Sequence, residues 1–231
     1  MASAAQEWES LAETIVACRK CPRLVAWREE VARTKRRAYR NDDYWGKPAP
    51  GFGDPQARAL AVGLAPGAHG ANRTGRMFTG DASGDFLFRA LHRAGFASQP
   101  TASSRDDGLE LKDLYIAAVC RCAPPGNKPT PGEIARCLPY LEQEIRLLVN
   151  LRVIVTLGRI AFENTLRIYR QPGDRPLPQS FAHGAMHSLG PSMPVLIASY
   201  HPSRQNTQTG RLTEEMFAGV WELARSILGN P

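Results

Sequence analysis

No apolar run in this 231-residue chain approaches the roughly 18 residues that cross a bilayer. The first residues, MASAAQEWESLAET, lack the basic and apolar regions of a secretory signal. These features predict neither a helical membrane span nor export, and a cytoplasmic location is expected. Cysteine is sparse and odd in number, at five, which with a reducing compartment argues against a disulfide framework. Lysine is scarcer than usual: five stand against 24 arginines. Two common phosphate-binding patterns, GxxxxGK[ST] and GxGxxG opening a helix, are missing as well, so neither a nucleoside triphosphate nor a dinucleotide is implied.

What is present is a basic, arginine-rich and otherwise ordinary globular composition. Hydrophobic residues make up 43% and charged ones 22% of the chain, enough for a proper core. The net charge of +7 rides on guanidinium groups, which pair phosphate oxygens bidentately, and favours a polyanionic partner. The densest basic segment, RTKRRAYR at 33–40, reads either as a solvated face or as part of that footprint.

Four short apolar runs recur, ALAVGLA at 59–65, LYIAAV at 114–119, VIVTLG at 153–158 and VLIASY at 195–200. Helix-like spacing occupies 85–96, 131–150, 159–169 and 213–228. Continuous apolar strands alternating with helices predict an α/β fold, a three-layer α/β/α sandwich on a central four-stranded parallel sheet. Residues 6–32 read as a helix interrupted by CRKCP at 18–22, with Pro22 starting a second helix and Leu11, Ile15, Leu24, Val25 and Val31 as buried positions. The stretch 41–55 is loop. The whole chain, 1–231, reads as one domain with an N-terminal helical arm over about 1–40.

Ligands of open parallel sheets lie beyond the carboxyl ends of the strands. There the first run leads into GLAPGAHGANRTGRMFTGD, the second into CRCAPPGN and the fourth into HPSRQN. An amide (Asn72 or Asn127), an imidazole (His201), an aromatic ring (Phe78) and a carboxylate (Asp81) would meet in one cleft, a set able to hold a planar heterocycle and attack beside it. Taken alone, His201 could equally be a half-buried histidine satisfied by backbone groups, and Asp81 could equally cap the helix that begins at ASGDFLFRAL. Cys18 and Cys21 form a CxxC; Cys120 and Cys122 form a CxC, with fourteen residues between Cys122 and Cys137. Thiolates from two distant segments suit a tetrahedral metal ion or a cubane iron–sulfur cluster, and spacing does not choose between zinc and iron. Either would fasten the N-terminal arm to the sheet.

The motifs GLAPGAHGANRTGRMFTGDASG, CAPPGNKPTPGEIARC and HPS, with CxxC ahead of them, resemble those of the uracil-DNA glycosylase superfamily. Within it they are similar to the family 5, iron–sulfur-containing enzymes. That resemblance implies a monofunctional DNA repair glycosylase acting as a monomer on DNA that carries uracil or other deaminated bases such as hypoxanthine and xanthine. It implies a structural [4Fe-4S] cluster on Cys18, Cys21, Cys122 and Cys137, with Cys120 outside the set. It makes Asn127 the reader of the base edge and His201 the donor to the base carbonyl. Gly63, Ala65, Gly67, Ala68 and Phe78 then surround the flipped base. Many superfamily members carry Asp or Asn where Ala68 stands, so Asp81 becomes the candidate for activating water. Arg73, Arg76, Ser203, Arg204 and Arg211 are candidate DNA contacts. Two rival classes remain: an iron–sulfur DNA-binding module without catalysis, which would leave Asn127, His201 and Phe78 without a task, and a zinc or iron–sulfur hydrolase acting on small molecules, which would need open coordination with acidic or histidine ligands where the sequence offers four cysteines. The sequence identifies no protein partner such as a sliding clamp.

Overall fold

The computed structural model describes residues 3–170 and 180–229. Two arm helices come first, α1 (Ala4–Val16) and α2 (Pro22–Thr34). Ser3 and Gln6 form a capping box at the start of α1, and Pro22 occupies the first turn of α2, where its missing N–H costs nothing. A 3₁₀ turn at Arg37–Tyr39 follows. The body then runs β1 (Phe52–Gly53), β2 (Ala59–Gly63), α3 (Ala71–Thr74), α4 (Ala82–Arg93), β3 (Leu114–Ala118), α5 (Pro131–Leu147), β4 (Val153–Leu157), α6 (Arg159–Tyr169), β5 (Met186–Ser188), β6 (Val195–Ser199), α7 (Arg204–Gln208) and α8 (Glu214–Leu228).

The sheet order is β1-β3-β2-β4-β6-β5. The four inner strands are parallel, with Leu60 opposite Tyr115 and Ile154, and Ile154 opposite Leu196. They coincide with the four apolar runs, whose residues are buried on both faces as a parallel sheet requires. The sheet nevertheless has six strands rather than the expected four. The two additions, β1 and β5, pair antiparallel at the edges. They are two and three residues long and only half-buried or exposed, so they carry no apolar run to announce them.

Alternation across the pleat divides the core. Ala59 and Ala61 point to one face, where Leu87, Phe88 and Leu91 of α4 meet Phe217, Val220 and Trp221 of α8. Leu60 and Val62 point to the other, against Ile134 and Leu141 of α5, Phe162 of α6, and Leu11 and Ile15 of α1. The first arm helix is therefore part of the core. The second is tied down by Arg23, which grips Glu133 of α5 through Nε at 2.8 Å and Nη2 at 2.6 Å. Glu133 at the same time completes the capping box of α5 with Thr130, and its carboxyl is held down at about 2, first by the Arg23 bond. No helix among the described residues is long and apolar enough to cross a membrane.

Candidate active site

The loops that leave β2, β3 and β6 enclose a cavity of about 820 Å³, within the size range of small-ligand sites. Its wall includes Ala65, Gly67, Ala68, Phe78, Asp81, Asn127, His201, Ser203 and Arg204. The structure thus brings together residues from three separate motifs, about 140 positions apart in sequence at the extremes.

Each polar member is held by local geometry. Asn127 ends a 3₁₀ turn of Pro125–Asn127 and has φ of +57°, a left-handed conformation that asparagine tolerates better than most residues. Its N–H binds the Pro124 carbonyl at 3.1 Å, and its side-chain amide has no hydrogen-bond partner among the described residues. It stands exposed at the mouth. His201 follows β6, and its carbonyl accepts from the Ser203 N–H at 2.8 Å and from Asn206 Nδ2 at 2.9 Å. The ring nitrogens find no partner among the described residues, so backbone groups do not satisfy this imidazole. Burial pushes its pKa down to about 4, and the ring is neutral at physiological pH.

Phe78 lies 6.0 Å from the His201 ring, centroid to centroid, at 31°. It too has positive φ, +54°, a costly choice for a bulky residue that turns the ring toward the end of β2. There Gly63 makes room for it: a Cβ on Gly63 would sit 2.8 Å from Phe78 Cζ. Gly63 therefore belongs to the support of the ring and is absent from the cavity wall, which departs from its expected role as a base contact.

Asp81 caps α4 through one carboxylate oxygen and leaves the other uncommitted. Its Oδ1 accepts from the Ser83 and Gly84 N–H groups, each at 3.0 Å, and caps α4. Its Oδ2 is directed at the 67–70 loop, where a Cβ on Gly67 would lie 2.8 Å away and one on Gly70 would collide with it outright. Burial raises the carboxyl above its ordinary range, opposed by the two capping N–H groups. The carboxylate is fixed at one oxygen and available at the other.

Other expected residues lie elsewhere. Asn72 is 1% exposed and sits beneath the cavity floor, not in it; its Nδ2 donates to the carbonyls of Arg28 and Ala68. Arg76 is buried in a bidentate pair with Asp107, both contacts at 2.8 Å, and is not free to meet a phosphate. Arg73 is spent on Asp42 at 2.6 Å, the Gly80 carbonyl at 2.8 Å and the Tyr39 ring at 4.1 Å. Both are held by these partners. Arg204 is exposed on the cavity rim; Arg211 is exposed but lies over the Tyr200 ring at 4.8 Å, off the wall. Sequence reasoning missed His69 and took Arg36 only as part of a charge run. Both line the cavity, and Tyr44 Oη meets His69 Nδ1 at 3.0 Å. The signal for His69 was its place next to Ala68 in the first motif.

The cysteines form a second centre. Cys18, Cys21, Cys122 and Cys137 line one small cavity between α2, α5 and the segment after β3. Arg28 Nη1 donates to Cys122 Sγ at 2.9 Å, and the Arg121 N–H to Cys137 Sγ at 3.2 Å. Burial drives the Cys122 thiol up to about 11, against the pull of Arg28. Cys120 is buried behind them; its hydrogen bond to Cys137 raises its own pKa and lowers that of Cys137. No three His, Cys, Asp or Glu side chains among the described residues close on a single point as a lone metal ion would need.

Residues 50–225 match the family model of the uracil DNA glycosylase superfamily. A type-5 uracil-DNA glycosylase of Thermus thermophilus is 55% identical over 221 residues, covering 96% of this chain and 98% of the relative. One from Mycobacterium bovis is 50% identical over 93% of this chain and 80% of its own length. One from Pyrobaculum aerophilum is 42% identical over 96% and 94%. With the three-layer fold and the loops that converge beyond its parallel strands, these similarities establish that the chain belongs to the uracil DNA glycosylase superfamily.

Proposed function

We propose that this protein is a monofunctional uracil-DNA glycosylase that flips a deaminated base out of DNA, hydrolyses its N-glycosidic bond and leaves an abasic site. The observation that carries the reading is the single cavity in which an unpaired amide, an unpaired neutral imidazole, an aromatic ring and a half-committed carboxylate face one another. The extruded base stacks on Phe78, and the Asn127 amide reads its polar edge. As the bond from C1′ to the base breaks, its electron pair passes to the base and charge builds on a carbonyl oxygen. A neutral His201 N–H donates to that oxygen and stabilises the departing anion, an effect worth about 3 kcal/mol for one such donor. Asp81 Oδ2 orients a water, accepts its proton as the oxygen bonds to C1′, and balances the positive charge of the oxocarbenium-like sugar. With Ala68 offering no polar side-chain atom, recognition rests on shape and edge contacts, which admits hypoxanthine and xanthine beside uracil. Exposed Arg204 and Ser203 on the rim meet the DNA backbone.

The cysteine centre fits a [4Fe-4S] cluster on Cys18, Cys21, Cys122 and Cys137 better than zinc. The sulfurs surround a cavity instead of a point, and two buried arginines stand against it, Arg121 in its wall and Arg28 on Cys122 Sγ, each with guanidinium nitrogens that find no partner among the described residues, as an anionic group requires. The cluster supplies structural anchoring of the arm. The chain works as one domain and as a monomer in the cytoplasm.

The test is excision from end-labelled duplexes with one uracil, hypoxanthine or xanthine, in chelator, developed with and without hot alkali. Cleavage that depends on alkali is expected. Tight DNA binding with no abasic product from any substrate would overturn the proposal.

A further inference from the structure

Asn72 joins the two centres just described. Arg28, on α2, has a guanidinium that donates to Cys122 Sγ at 2.9 Å and to the Cys18 carbonyl at 3.3 Å. It is only 2% exposed. The nearest carboxylate, Glu29, stands 3.9 Å away and is gripped by Arg19 at 2.5 Å, so the buried charge depends on the sulfur side for compensation. The backbone carbonyl of the same residue accepts from Asn72 Nδ2 at 3.2 Å, and that amide also reaches the Ala68 carbonyl at 3.4 Å. The Asn72 N–H binds the Gly67 carbonyl at 3.0 Å. The loop so held, 67–70, is the one against which Asp81 Oδ2 rests.

We infer that Arg28 and Asn72 are positioning residues that couple occupancy of the cysteine centre to the placement of the 67–70 loop beside Asp81. This rests on the glycosylase reading and on the cysteine centre proposed above. The chain of contacts is continuous and short: sulfur, guanidinium, one backbone carbonyl, one amide, loop. When the centre is loaded, its negative charge holds the Arg28 side chain and with it the turn of α2 that Asn72 grips. When it is empty, the buried guanidinium has no anion, α2 shifts to find one, and the loop loses its anchor. The Asn72 side chain grips α2 through Nδ2 alone, because its Oδ1 is buried without a partner among the described residues.

Hydrogen exchange read by mass spectrometry tests the coupling on the full chain. Removing the metal with an oxidant and chelator should speed exchange of the amides of Asn72 and Gly70 about tenfold, while the amides of β2 and β4 stay protected. Asn72→Ala should show the same faster loop with its metal content retained, and should lose about tenfold in single-turnover excision with KM within about twofold, since a misplaced loop costs rate more than binding. Arg28→Lys, which keeps the charge, should retain metal and loop protection. A loop unmoved by metal removal, or a rise spread equally over the sheet, overturns the coupling; should Asn72→Ala fail to fold, the metal-removal arm on the unaltered chain decides alone. A metal-loaded unaltered protein that excises nothing refutes the glycosylase reading instead, and a protein that binds no metal refutes the centre.

Discussion

Replacing Asp81 by asparagine separates the two tasks of one carboxylate. Asparagine keeps a side-chain oxygen that can accept the Ser83 and Gly84 N–H bonds, both 3.0 Å in the native protein, and it is as good a helix cap as aspartate. The structural loss is the favourable contact of a negative charge with the positive end of α4, at most about 2 kcal/mol, and it is offset by relief of the burial that raises this carboxyl, so Tm should change little. Chemistry loses far more, because a neutral amide cannot take a proton from water or offset a cationic sugar. We expect single-turnover excision to fall about 10- to 1000-fold, equivalent to about 1.4–4 kcal/mol of transition-state stabilisation, with DNA affinity little changed. Asp81→Ala should add the loss of the cap, about 1 kcal/mol. The assay pairs excision under excess enzyme with thermal unfolding of both variants. An Asp81→Asn protein that folds and excises at the native rate would refute the assignment of water activation and leave the residue as a cap only.

Gly70→Ala should reduce excision at least as far as Asp81→Asn while leaving DNA binding intact, since the new methyl group must push Oδ2 aside; a normal rate would show that Oδ2 has room to spare. The acid limb of the pH–rate profile should lie above the ordinary carboxylate range, set by the raised Asp81, and should vanish in Asp81→Asn; His201 stays neutral down to about 4 and does not contribute above that. For stability the sign is separate: between about 6.5, its unfolded value, and about 4 the unfolded chain binds a proton that the native His201 refuses, so stability drops as pH falls through this window. His201→Gln should flatten that part of a Tm-against-pH curve. Arg76→Ala, which strands buried Asp107, should destabilise by about 3–5 kcal/mol with no change in the salt dependence of DNA binding, whereas Arg204→Ala should leave Tm alone and reduce the log–log salt slope by about 1. The opposite pattern would exchange their roles.

The parallel centre of the fold was legible because strands buried on both faces must be apolar throughout, and each of the four runs begins within a residue of its strand. The long helices were legible from period and caps, and Pro22 does open α2. The edges were not: Phe52–Gly53 sits in a stretch of glycine, proline and aspartate, and its pairing with β3 is decided by the neighbouring strand, not by its own residues. In the site, the side chains that meet in the cavity could be picked out by type and motif, but their commitments could not. Asn72 and Asn127 look alike in sequence; only the fold turns one downward to Arg28 and the other outward at a left-handed turn. Arg73 and Arg76 look like free cations until their carboxylates, 31 residues away from each, come into place.

The cavity wall is shared among three loops anchored on separate strands in fixed register. The ring proposed to stack (Phe78), the amide proposed to read the base (Asn127) and the imidazole proposed to donate to its carbonyl (His201) therefore have no common hinge and no shared segment of chain. Each can vary in length or composition while the other two keep their coordinates, so base preference is free to drift at the loop after β3 without disturbing bond cleavage at the loops after β2 and β6.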